Sequence, residues 1–149
     1  MNAVNGYRLE RWLYVHKLTF LAKIIRGLIY LIHNSYIPYT AEIGKGTVFG
    51  YKGIGVVVHS HAKIGNNCVI SQNVTLGGRE GHKGVPTIGN NVHIGAGAIV
   101  LGGVTVGDNA VVGAGAVVLI DIPENCVAAG VPAKVLYNRA DREKKEDQP

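Results

Sequence analysis

Between residues 43 and 122 the apolar positions recur with a period that belongs to neither a helix nor a hairpin. Ile64, Ile70 and Leu76, and then Ile88, Ile94, Val100, Val106, Val112 and Val118, are aliphatic residues spaced six apart within each run. The residue that follows is mostly glycine, as at Gly65, Gly77, Gly89, Gly95, Gly107 and Gly113. Four places after each aliphatic stands a small or branched residue, among them Cys68, Val74, Val92, Ala98, Val104, Ala110, Ala116 and Ile122; Glu80 is the exception. Ile43-Gly44 and Phe49-Gly50 begin the same pattern upstream. A helix would repeat every ~3.6 residues, and hairpins would place turn signals every ~8–12. A period of six predicts short strands joined by tight corners, with one aliphatic side chain per strand pointing inward. Glycine or asparagine takes the positive φ at the corners, and Asn66-Asn67, Asn90-Asn91 and Asp108-Asn109 stand where it is needed. Three such strands close one coil of a triangular prism, and stacked coils give an all-β parallel solenoid with an aliphatic interior.

The phase breaks twice. From Phe49 to Val58 the step is nine, so Tyr51-Lys52-Gly53-Ile54-Gly55 must bulge from the coil. From Leu76 to Ile88 the step is twelve without an aliphatic repeat, so Gly77 to Gly84 is a projecting loop, the kind of insertion on which solenoids carry function. Outside the repeat, residues 7–33 read as a helix with Leu9, Trp12, Leu13, Leu21, Ile25, Leu28 and Ile32 on one face. Such a helix covers an open end of the solenoid or packs in an oligomer, or it rests as a basic amphipathic helix on a membrane surface. The expected division is a helical cap over residues 1–36, the β-helix over 37–136, and a charged, frayed helical tail over 137–149.

Composition narrows the function. The 21 glycines lie almost entirely between Gly44 and Gly130, interleaved with Val, Ile and Ala, and 47% hydrophobic content supports a core rather than a disordered chain. Of the formal charge of +5, a net +4 falls in residues 1–34 and only +1 in residues 35–135, so the body lacks the basic stripe of a nucleic-acid domain. Cys68 and Cys126 make no disulfide framework or metal-like spacing and read as small buried residues. No secretory pattern opens the chain, and the apolar window Leu18 to Ile32 is broken by Lys23 and Arg26 and is too short to span a bilayer. A cytoplasmic location is expected, at the inner face of the membrane if the helix binds lipid.

With the units in view, the chain resembles the hexapeptide-repeat acyltransferases, and among them the serine acetyltransferase-like branch. The likeness runs from about Ile37 to Leu136 and rests on Val74-Thr75-Leu76-Gly77-Gly78, Val85-Pro86-Thr87-Ile88-Gly89, Ile94-Gly95-Ala96-Gly97-Ala98 and Ala128-Ala129-Gly130-Val131-Pro132-Ala133-Lys134. The resemblance implies a left-handed parallel β-helix, a homotrimer and acetyl-coenzyme A as donor, with no metal required. Serine acetyltransferases carry a catalytic histidine where this chain has the Tyr51-Lys52 segment. Their glutamate falls near Ser60, their second histidine at Val85, and their early Asp and His near Tyr36 and Pro38. Their long N-terminal helical domain and terminal isoleucine have no counterpart here. These departures favour the related enzymes that O-acetylate sugars of capsular, exopolysaccharide or lipopolysaccharide precursors. The alternative is a serine O-acetyltransferase with a rebuilt acceptor site.

Acetyl transfer from a thioester to a hydroxyl needs a base, donors for the developing oxyanion and a closely held thioester. Histidine suits the first role because its ordinary pKa is near neutrality. His82 in the inserted loop is the first candidate, His59 after the Val56-Val57-Val58 strand the second, and His61 the third, with His59 and His61 able to divide base and orienting roles. His16 and His33 fall in the helical segment and His93 at an outward position. Cys68 falls at an inward position, which argues against a covalent acyl-enzyme. The backbone N–H groups of Gly77-Gly78 could meet the oxyanion. By resemblance, the pantetheine arm would lie between neighbouring β-helices along Gly77, Gly78, Ala96, Gly97, Ala114 and Gly115. Lys134, helped by Lys83 or Arg139, would meet the nucleotide phosphates. Two other classes stay open: a metal-binding β-helix similar to the γ-carbonic anhydrases, using His59, His61 and His82, and a non-catalytic scaffold.

Overall fold

The computed structural model describes residues 2–141. Two helices, α1 (Ala3–Val15) and α2 (Thr19–His33), precede a three-sided parallel β-helix. One face stacks β1 (Glu42–Ile43), β4 (Lys63–Ile64), β7 (Thr87–Ile88) and β10 (Thr105–Val106). The second stacks β2 (Val48–Phe49), β5 (Val69–Ile70), β8 (His93–Ile94), β11 (Val111–Val112) and β13 (Cys126–Gly130), closed by β14 (Ala133–Asn138). The third stacks β3 (Val57–Val58), β6 (Thr75–Gly77), β9 (Ile99–Leu101) and β12 (Val117–Val118). All pairings are parallel except β13 with β14, which runs antiparallel.

The register follows the six-residue period. Ile43, Ile64, Ile88 and Val106 align on the first face, Phe49, Ile70, Ile94, Val112 and Ala128 on the second, and Val58, Leu76, Val100 and Val118 on the third. Apart from Ile43, which is half-buried, every one of these is buried. The residues four places on, from Ala62 and Cys68 to Ala116 and Ile122, are buried as well, except Glu80 in the inserted loop. At roughly 1.5–3 kcal/mol for each large aliphatic removed from water, these stacked rows are the main favourable term in the body. Gly65 shows why the corners need glycine: a Cβ there would clash with the carbonyl oxygen of Gly89 on the next coil.

The corner between the first and second faces is a polar ladder. Asn67, Asn91, Asn109 and Asn125 all adopt positive φ between 54° and 59°. The Asn91 amide donates to Asn109 Oδ1 at 3.3 Å and Asn109 to Asn125 Oδ1 at 3.1 Å. A second row runs beside it: Asn66 Oδ1 accepts from the Lys45 amide, Asn90 Oδ1 from the Asn66 amide and Asp108 Oδ1 from the Asn90 amide, all at 2.7–2.8 Å.

The N-terminal segment forms a hairpin of two helices rather than the single helix that periodicity predicts. The chain turns at His16 to Leu18, where Lys17 takes φ 62°. The face differs too: Leu9, Trp12, Leu21, Leu28 and Ile32 are exposed, whereas Ala3, Val4, Tyr7, Ala22 and Ile29 are buried. Small residues set the close approach, since a Cβ on Gly6 would meet Ile29 Cγ1 at 2.8 Å. The hairpin closes the first coil. Tyr7 Oη donates to the Ala41 carbonyl at 2.7 Å, Asn2 Nδ2 to the Phe49 carbonyl at 2.8 Å, and Arg11 to the carbonyls of Tyr39 and Ala41 at 2.8 and 2.9 Å. At the other end, β14 carries regular structure to Asn138, past the boundary expected for the tail. Most of that tail, residues 142–149, lies outside the described residues.

Candidate active site

Each coil turns three corners, and the candidate residues fall on two of them. The corner after β3, β6, β9 and β12 carries His59-Ser60-His61, the inserted loop at 78–86, the turn at 102–104 and Leu119. All three candidate histidines therefore share one edge of the prism. His59 donates its amide to the Leu76 carbonyl at 2.8 Å, which sets it beside Gly77 at the root of the loop. Its Nδ1 accepts from the His61 amide at 3.2 Å, and the two imidazoles stand 5.6 Å apart, tilted by 39°. That bond fixes the His59 ring through Nδ1 and leaves Nε2 free to point elsewhere.

The loop folds up onto the next coil. The Gly102 amide donates to the Gly77 carbonyl at 3.0 Å, and a Cβ on Gly84 would meet Gly103 Cα at 2.9 Å. A recess of about 360 Å³ forms there, lined by Arg79, Gly81, His82, Lys83, Leu101, Gly102, Gly103, Val104 and Leu119. His82 is exposed, with Nδ1 3.1 Å from the Glu80 carbonyl oxygen, so Nδ1 carries the proton and Nε2 is the basic nitrogen. The recess holds His82 without His59 or His61, so the three histidines share an edge but not a pocket within one chain. Arg79 and Lys83 beside His82 are a cationic pair that sequence reasoning did not put together; their place in the same inserted loop was the available signal.

The small residues divide differently. Gly77 and Gly78 lie on the histidine edge, and no atom stands within 4 Å of a Cβ built on Gly78. Ala96, Gly97, Ala114 and Gly115 lie on the corner between β8 and β9 and between β11 and β12, as Tyr51 and Lys52 do two coils below the first of these. Gly97 and Gly115 both take φ of 67° with open space around them, so the backbone, not crowding, demands glycine. No single groove of one chain holds all six residues. Lys134 on β14 is exposed. Tyr51 and Lys52 are successive non-glycine residues at φ 47° and 62°, a strained pair that the nine-residue step located without identifying.

Two expectations can be weighed on geometry. Burial pushes the Cys68 thiol up, and Sγ donates to the Gly89 carbonyl at 3.0 Å, so this sulfur is neither exposed nor ionised as a nucleophile must be. Among the described residues no three His, Cys, Asp or Glu side chains come together to hold a metal ion, so a γ-carbonic-anhydrase-like triad does not form within one chain.

Residues 86–119 match the family model described as "Bacterial transferase hexapeptide (six repeats)". A serine acetyltransferase of Synechococcus elongatus is 40% identical over 133 residues, 88% of this chain and 54% of that protein. A serine acetyltransferase of Helicobacter pylori is 40% identical over 138 residues, 91% of this chain and 80% of that protein. Among solved structures, soybean serine acetyltransferase complexed with serine superposes with a TM-score of 0.83 at 41% identity, covering 90% of this chain and 56% of that one. The enzyme from Brucella abortus in complex with coenzyme A does so with 0.85 at 35%, covering 91% and 55%. The chain thus spans about half the length of the Synechococcus relative and of these structures.

These relatives overturn the expected saccharide acceptor: they are serine acetyltransferases matched across the cap and the whole β-helix, not polysaccharide-modifying enzymes. The expectation rested on the side chains at Tyr51, Ser60 and Val85. Of these, Ser60 and Val85 lie on the edge that carries His59, His61 and His82, whereas Tyr51 lies on the corner between β2 and β3. The chain belongs to the serine acetyltransferase family of hexapeptide-repeat acyltransferases.

Proposed function

We propose that the chain moves the acetyl group of acetyl-coenzyme A onto the hydroxyl of serine, at the prism edge that bears His59, His61 and the 77–86 loop. The observation that carries this reading is the recess in which His82 stands beside Arg79 and Lys83. It joins an exposed imidazole to two cations suited to the acceptor's carboxylate. His82 Nε2 takes the hydroxyl proton as the serine oxygen bonds to the acetyl carbon. The N–H groups at Gly77-Gly78 meet the charge that develops on the carbonyl oxygen, the carbon–sulfur bond breaks, and the proton passes to the departing thiolate. His59, held at Nδ1 by the His61 amide, stands outside that recess on the coil below and is the second candidate for the base.

The donor's place follows from the two edges. Gly77 and Gly78 sit on one corner of the prism and Ala96, Gly97, Ala114 and Gly115 on another, so a channel lined by all six requires the edge of one chain to face the other edge of the next. A closed ring of three does this with a single repeated contact, and a homotrimer is the assembly we propose. Lys134 and Arg139, near the last coil, would meet the nucleotide phosphates as cations.

The test is thiol release from acetyl-coenzyme A with L-serine as acceptor, run on the intact chain and on His82→Ala and His59→Ala. Serine-dependent release that falls by roughly 10²–10⁴ in His82→Ala supports the assignment. Absence of serine-dependent release in the intact chain overturns the function, and full activity in both variants overturns the site.

A further inference from the structure

α2 is apolar on two sides, and only one of them is used. Ala22, Ile29 and the half-buried Ile25 face α1 and the first coil. On the opposite side Phe20, Ile24, Leu28 and Leu31 are exposed, Phe20 at 75% and Leu31 at 79%. At ~100° per residue these four fall within an arc of about 80°, and they run about 16 Å along the helix. The stripe is continuous, in contrast to the single scattered apolar residues normal on a protein surface.

The charges around this stripe have one sign. Lys17 in the turn and Lys23 on α2 are exposed. The only acidic residue between positions 2 and 41 is Glu10, which is fully buried. A second copy docking stripe to stripe about a twofold axis would set Lys17 and Lys23 against their own counterparts, and α2 carries no acidic residue to pair them. A surface of anionic lipid offers acyl chains to the stripe and phosphates to the lysines. No helix is long and apolar enough to cross a membrane, so the fitting geometry is a helix lying in the plane of the interface. Trp12 and Tyr30, both exposed on the hairpin, are of the amphipathic type that settles at the headgroup level.

We propose that the N-terminal hairpin docks the protein on anionic membrane surfaces through the outer stripe of α2 and the lysines beside it. The inference is independent of the reaction assigned to the prism edge.

Co-sedimentation of the full chain with vesicles tests it, comparing phosphatidylserine mixed with phosphatidylcholine against phosphatidylcholine alone. Binding is expected only to the mixed vesicles. It should weaken at least about tenfold in Phe20→Ser/Leu31→Ser and in Lys17→Glu/Lys23→Glu, and should fall with added salt. The single tryptophan, Trp12, gives a second reading as a blue shift on binding. Circular dichroism of each variant matching the parent shows that the loss is not unfolding. Absence of binding to either vesicle overturns the proposal, as does equal binding to both or retention in the lysine variant. A halving of the solution mass in Phe20→Ser/Leu31→Ser would also overturn it, by assigning the stripe to a second copy.

Discussion

Two corners of the same prism, built from the same six-residue units, do opposite things with their polar groups. On the corner between the first and second faces, Asn66, Asn90 and Asp108 accept from backbone amides of the coil before. Asn91, Asn109 and Asn125 bond to one another up the stack. On the corner that carries His59, His61 and the 77–86 loop, the ladder is interrupted. The His82 side chain there meets only its own loop, through Nδ1. Where the asparagine side chains bond from coil to coil, the edge is chiefly structure, and Arg139 beside the ladder is bonded to the Asn109 carbonyl. Where an insertion breaks the stack, imidazole, guanidinium and ammonium groups are left pointing into a recess.

The same contrast exists within one helix of the cap, and there it predicts the largest effect. Tyr7 is fully bonded, donating to Ala41 and accepting from the Ile43 amide. Glu10, one turn on, is equally buried with neither carboxylate oxygen bonded, and burial lifts its pKa to about 8, against a smaller opposing pull from Arg26. A carboxyl whose folded pKa lies above its unfolded value near 4.5 holds its proton in the fold after the unfolded chain has lost its own. Stability therefore falls as pH rises from about 4.5 to 8, by at most about 1.4 kcal/mol per pH unit. Denaturant unfolding of Glu10→Gln at pH 5 and pH 8 checks this: the variant should lose most of that slope and exceed the parent at pH 8. An unchanged slope would show that Glu10 is not the group responsible.

On the histidine edge, Arg79→Ala should raise the KM for serine by roughly 10–100-fold, the worth of a charge-assisted hydrogen bond, and leave thermal stability near the parent's. A fall in kcat with KM unchanged would move Arg79 out of acceptor binding. On the ladder edge the outcomes reverse. Asn109→Ala removes two side-chain bonds at a residue with φ 59° and should cost about 1–2 kcal/mol in denaturant unfolding, with activity retained. Lost activity in a stably folded Asn109→Ala would end the distinction between the two edges.

The repeat was legible because an inward aliphatic every sixth position is a steric requirement of the coil, visible at Ile64, Ile94 or Val112 without any neighbour being known. The two insertions were legible as breaks in that count. That His59 shares an edge with the loop was also within reach, since Val58 and Leu76 are each followed by the first residue of the same corner. The recess was not legible, because it depends on the loop folding up onto Gly102-Gly103 rather than down onto His59. The cap was misread for a local reason. A positive φ at Lys17 splits one apparent helix into two, and close packing at Gly6 and Ala22 selects the small residues for the inside. Large apolar residues such as Leu28 and Ile32 are left outside. The acceptor was not legible at Tyr51, Ser60 and Val85, because those positions show which side chains are absent and not which groups meet the acceptor.

The most direct test is a crystal structure of the chain with coenzyme A and serine bound. The account predicts the cofactor's sulfur and the serine hydroxyl beside Gly77-Gly78, with Nε2 of His82 or His59 the nearest imidazole nitrogen to that hydroxyl. A sulfur lying against the asparagine ladder, or nearest to Tyr51 with no histidine in reach, would contradict it.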